Sequence, residues 1–103
     1  MDKIAAFNEI LLLDPDNAFA RYGLAMEYLS QNNPEVALTE FAVCIQHNPD
    51  YVPAYQMSAQ TLIKLGRRED AIVRLKEGII VASRTNNQHA LSEMEAMLDD
   101  LSL

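Results

Sequence analysis

The chain repeats itself with a period of 34 residues, and that period limits what it can fold into. The phrase "LDPDNAFARYGLAMEYL" at 13–29 returns as "HNPDYVPAYQMSAQTLI" at 47–63. In that register Pro15 falls on Pro49, Asp16 on Asp50, Ala20 on Ala54, Ala25 on Ala59 and Ala37 on Ala71. Three apolar series run on through two shifts. They are Ile4, Leu38, Ile72; then Phe7, Phe41, Leu75; then Leu11, Ile45, Ile79.

Apolar positions within each copy recur three and four residues apart, as on one face of a helix. Helices are predicted over 2–13, 17–31, 34–47, 51–65, 68–84 and 87–101. Pro15 and Pro49 cannot extend a helix, and each biases the residue before it away from helical dihedrals. Asp16 or Asn17 then offers an acceptor to the first free N–H groups of the next helix. Asn33 reads as a cap before Pro34, a favoured first helical residue. Gly66 suits the left-handed position after a helix, and "RTNN" at 84–87 reads as a turn. No run alternates as a strand would, so the fold class is all-α with about six helices. Short connections make successive helices antiparallel.

A helix–turn–helix unit of this length resembles the tetratricopeptide repeat. In a first repeat, 18–51, the matching positions are Leu24, Ala25, Tyr28, Ala37, Phe41 and Pro49. Arg21 stands where the family prefers tryptophan, and Cys44 where it prefers a small residue. In a second repeat, 52–85, Tyr55, Ala59, Leu62, Ala71 and Leu75 match. There Ser58 replaces the usual leucine. Ser83 replaces the closing proline, so the last turn is expected to run further. Residues 2–15 resemble the second helix of a preceding half repeat. Residues 87–101 read as a capping helix, with Glu93 where a small residue belongs. The resemblance is to small stand-alone bacterial members. It implies one domain, 1–103, built as a right-handed α-α superhelical array with a concave face lined by the first helices.

Composition narrows the function. The net charge of −7 disfavours nucleic acid, whose phosphates need cations. No apolar run approaches a membrane span, and Asp2 with no basic flank argues against a secretory signal. Cys44 is the one cysteine, so no internal disulfide forms, which fits a cytoplasmic setting. Lys64, Arg67, Arg68, Arg74 and Lys76 gather in one stretch. They form either a solvated helix face or a patch for an acidic partner segment.

Three glycines leave no phosphate-binding loop, and "DPD" lacks the spacing of a calcium loop. His47, His89 and Cys44 form no spaced ligand cluster, so neither a metal nor a cofactor is expected. The histidines are placed on the surface near helix ends, and Cys44 inside as a small hydrophobe. No nucleophile has a base beside it, so the chain is read as no enzyme.

The resemblance implies instead that the concave face takes a short peptide. Carried over by repeat position, its lining is Phe19, Tyr22, Met26 and Leu29, then Gln56, Gln60, Ile63 and Lys64. The first set is apolar and falls on a face that the core is not expected to use. Some members grip a terminal carboxylate with asparagines and lysines. Here the asparagine positions hold Gly23 and Met57, and Lys64 alone remains. Two helices offer further contacts. Ile4, Phe7, Ile10, Leu11, Leu12 and Leu13 exceed what one buried stripe needs, so the N-terminal helix is a candidate homodimer contact. Leu91, Met94, Leu98 and Leu101 form either a seam for another helix or a cap against 68–84. The alternative to peptide binding is therefore a structural, self-associating unit.

Overall fold

Prolines and left-handed residues divide the chain into its elements. The computed structural model describes residues 2–102, in which α1 spans Lys3–Leu13, α2 Ala18–Ser30 and α3 Pro34–His47. Next come α4 Val52–Lys64, α5 Arg68–Arg84 and α6 Gln88–Leu101, with no strand among the described residues. Asp14 and Asn48, each before a proline, leave the helical region at ψ 79° and 76° and end α1 and α3. Asn32, Gly66 and Asn86 take φ of 61°, 75° and 63°. Each closes its helix with the paired bonds of a left-handed cap, as where Arg67 N–H donates to Leu62 O at 2.9 Å and Gly66 N–H to Ile63 O at 3.0 Å.

The N-terminal caps differ from one another. Asn17 Oδ1 accepts from Ala20 N–H at 2.8 Å, whereas the Asp16 carboxylate turns to His47. Asn33 precedes Pro34 as predicted, but its side chain caps nothing. Pro34 has no N–H to satisfy, which lessens the need.

The helices cluster into two compact units; Asn48 closes the first and Pro49 opens the second. In the first, Leu11, Ala20 and Leu24 form a buried cluster backed by Ile4, Phe7 and Tyr28. The Phe7 ring lies so close that a Cβ on Gly23 would meet it at 2.5 Å. On the other side of α2, Cys44 Sγ approaches Ala18 O at 3.7 Å and Arg21 pairs with Glu40 at 3.1 Å. Rising numbers on α2 meet falling numbers on α3, so the pair is antiparallel. Ala25, Ala37 and Phe41 are fully buried there. Burying a phenylalanine side chain is worth roughly 1.5–3 kcal/mol.

The second unit repeats the plan. Gly78 takes the place of Cys44, and a Cβ there would meet Tyr55 Cβ at 2.8 Å and Met94 Sδ at 2.7 Å. Arg84 reaches Asp50 at 2.7 Å, so α4 and α5 are also antiparallel. Helix α5 runs to Arg84, three residues beyond the position equivalent to the end of α3, as the missing proline predicts. That extension has a consequence for α6. The helix starts α2, α4 and α6 fall at Ala18, Val52 and Gln88, so the last interval is 36 residues rather than 34. Ala90, not Gln88, therefore repeats the buried Ala20 and Ala54, and Met94 repeats Leu24 and Ser58. Asn87 Oδ1 caps Ala90 N–H at 3.1 Å, as Asn17 caps Ala20. The small-residue position of Ala25 and Ala59 is held by Glu95; Glu93 lies two residues earlier.

Candidate functional site

Two positions show how the repeat keeps its joints while the residues change. Arg21 Nη2 donates to the Pro15 carbonyl at 3.2 Å, and the Tyr55 hydroxyl donates to the Pro49 carbonyl at 2.7 Å. The donors are equivalent by the 34-residue register, and so are the acceptors. Arg21 thus fills the place of the preferred tryptophan by tying α2 both to its own joint and, through Glu40, to α3. These residues anchor the helices whose remaining faces carry the candidate site.

On α2, Phe19, Tyr22, Met26 and Leu29 follow one another at three, four and three residues, forming one stripe. They are not equivalent. Phe19 is 69% exposed, and Met26 and Leu29 are half-buried. Tyr22 is also half-buried, and its ring lies 5.8 Å from that of Phe41 at 52°. Core packing therefore does use Tyr22, contrary to the expectation that the whole stripe is left over. An edge-tilted pair of this kind adds about 0.5–1.5 kcal/mol beyond the area buried.

On α4, in the other unit, Gln56, Gln60 and Ile63 are half-buried and Lys64 is exposed. Gln56 Nε2 donates to Glu93 Oε1 of α6 at 3.2 Å, and His89 Nε2 lies 3.1 Å from the same carboxylate oxygen. Helix α6 thus engages part of the α4 stripe. Met94 is fully buried against Gly78, and Arg68 donates to the Leu101 carbonyl. The carboxylate-gripping arrangement has a steric obstacle as well as a missing asparagine, because Phe7 fills the space above Gly23.

The basic stretch is dispersed into local pairs: Arg68 with Glu69 at 3.0 Å, and Arg74 with Glu77 at 3.8 Å. Exposed pairs of this kind contribute little. His47 and His89 lie at the surface, as expected, His47 Nδ1 being 2.7 Å from Asp16. Burial pushes the Cys44 thiol up to about 11, with the Arg21 guanidinium opposing, so it is protonated near neutral pH. A protonated, buried thiol is a poor nucleophile. Among the described residues no three His, Cys, Asp or Glu side chains converge as metal ligands would. No helix is long and apolar enough to cross a membrane.

Fold and residue pattern define an all-α helical repeat array. Residues 28–94 match the family profile "Tetratricopeptide repeat", well over half of the chain, and the chain belongs to that family. A tetratricopeptide repeat domain protein from Salinibacter ruber, solved in solution, is 35% identical with a TM-score of 0.80. That match covers 85% of this chain and 89% of that one. PcrH, solved in complex with the chaperone binding region of PopD, matches at 18% identity and a TM-score of 0.88, over 96% of this chain and 75% of that one. The TPR2B domain of yeast Sti1, solved as a complex with pHsp70, matches at 19% and 0.87, over 96% and 79%. No curated protein matches.

Proposed function

We propose that this chain is a non-enzymatic protein-interaction module that holds a short peptide segment on the first-helix face, which family arrays make concave. The observation that carries the reading is Phe19, a phenylalanine 69% exposed in line with half-buried Met26 and Leu29. An aromatic left in water beside further apolar surface is the usual mark of a contact site. Tyr22 contributes its outer edge while its ring stays on Phe41. Gln60 and Ile63 are the positions on α4 that correspond to Met26 and Leu29, with Lys64 next to them and Gln56, opposite Tyr22 in the register, available only if it leaves Glu93. PcrH and the Sti1 domain, which share the fold, were solved with protein segments bound, and that supports the same class of partner here. The domain reading goes with it: a half repeat at 2–15, repeats at 18–51 and 52–85, and a cap at 87–101. A free, unreactive cysteine fits a cytoplasmic place of work.

The test is selection of peptides from a random display library against the whole chain, followed by titration calorimetry. Phe19→Ala should weaken a selected peptide at least roughly tenfold, as expected of an aromatic anchor worth more than about 1.4 kcal/mol. Unchanged affinity, with helicity retained, removes the proposed face. A second reading, self-association through α1, is favoured by Leu12 and Leu13, exposed to 82% and 92%.

A further inference from the structure

Helix α1 carries a stripe whose counterparts elsewhere in the chain, the surface residue His47 apart, are buried or half-buried. In α3 the stripe is Ala37, Glu40, Cys44 and His47, and its first three members face α2. In α5 it is Ala71, Arg74, Gly78 and Val81, with Gly78 against Tyr55 of α4. The same register on α1 gives Lys3, Ala6, Ile10 and Leu13. Here Lys3 and Ile10 are exposed and Leu13 almost wholly so. Helix α6 shows the converse. Its residues equivalent to Arg21, Tyr22 and Ala25, which meet a second helix in α2, are Leu91, Ser92 and Glu95. Ser92 and Glu95 are exposed.

The two open stripes depart from the repeat at matching places. In both complete helix pairs the antiparallel register sets one buried alanine level with another, Ala25 with Ala37 and Ala59 with Ala71. On the open stripes those two positions hold Glu95 and Lys3, opposite charges where the repeat has small apolar residues. The contacts of Ala18 with Cys44 and of Tyr55 with Gly78 fix the level. Carried over to α1 and α6, they bring Ile10 beside Gln88 to Leu91, and Lys3 beside Glu95 to Leu98. Glu95 would repel an ordinary alanine-faced second helix by stranding a carboxylate, but it suits one that presents a lysine there.

We propose that α1 of one copy docks antiparallel on α6 of a second copy, so that two chains complete one helix pair between them. This rests on the self-association reading and goes beyond it by naming α6 as the receiving surface. The contact is heterologous: a docked pair keeps one free α6, on the first copy, and one free α1, on the second, and assembly continues past two copies unless it closes into a ring. Its ion pair lies at the surface, so added salt weakens it.

Sedimentation equilibrium of the whole chain over a wide range of concentration tests this. The weight-average mass should rise above 11.6 kDa with concentration and fall with salt. Lys3→Glu and Glu95→Lys should each hold the chain at the monomer mass, and the double reversal in one chain should restore association. Circular dichroism verifies folding, and the acid in the first turn of α1 favours the helix. A wild type that stays monomeric overturns the proposal, as does a double variant that stays monomeric. Association lost with Ile10→Asp but unaffected by Glu95→Lys also overturns it; that outcome retains self-association through α1 and assigns it to an α1–α1 contact.

Discussion

Two glycines separate packing from flexibility at the residue scale. Alanine is favoured over glycine inside a helix by about 1 kcal/mol, so either substitution starts with a gain. At Gly23 the new methyl meets the end of the Phe7 ring, which is only half-buried and free to tilt. At Gly78 it meets Tyr55 Cβ, fixed to the α4 backbone, and fully buried Met94. Overpacking of that kind costs about 1–3 kcal/mol. Urea denaturation should therefore find Gly78→Ala destabilised by up to about 2 kcal/mol net and Gly23→Ala the more stable of the two variants. Equal losses at both sites would contradict this packing.

Cys44 makes a second prediction at the same scale. Its folded pKa is raised from 9.0 to about 11, so the stabilisation from a neutral buried thiol is complete below pH 9. It is lost as pH rises from about 9 to about 11, because the unfolded chain ionises first. Tyr55 is also raised by burial and by Glu77 and acts in the same direction. Comparison with Cys44→Ala isolates the thiol: the variant's stability should fall less steeply over that range. Native alkylation near neutral pH should proceed no faster than unfolding.

Caps distinguish the helices at the element scale. Asn17 and Asn87 each satisfy a backbone N–H, and replacing either with alanine should cost about 1 kcal/mol by thermal melting. Asn33 bonds nothing through its side chain, so Asn33→Ala should leave stability within about 0.5 kcal/mol. A cap cost at Asn33 equal to that at Asn17 would contradict the assignment.

The elements also show what could be read in advance. Proline, glycine and apolar spacing marked all six helices to within a residue or two, because those signals act locally. The position of α6 could not be read by a fixed 34-residue shift. Its phase depends on how far α5 continues once a proline is missing, and that lengthened the interval to 36 residues. Asn87 and Ala90, matching Asn17 and Ala20, were the clue in the sequence. The candidate site was legible in part. Phe19 was recognisable by register, but the packing of Tyr22 on Phe41 and of Gln56 on Glu93 depends on neighbouring helices that no single stripe reveals.

The whole molecule is a tetratricopeptide repeat protein whose repeated alanines build helix pairs and whose exposed first-helix positions change from copy to copy. Ala20, Ala25 and Ala37 recur as alanines because close helix approach requires small side chains. Phe19, Met26 and Leu29 become Pro53, Gln60 and Ile63 in the second copy, so the two stripes present different chemistry. That asymmetry fits recognition of a particular segment better than uniform stacking. The most direct measurement is nuclear magnetic resonance of the isotope-labelled chain titrated with a library-selected peptide. Contacts between peptide protons and the Phe19 ring, with the largest shifts at Met26 and Leu29, are the predicted result. Peptide contacts confined to α3, α5 or the outer side of α6, with Phe19 unperturbed, would contradict it.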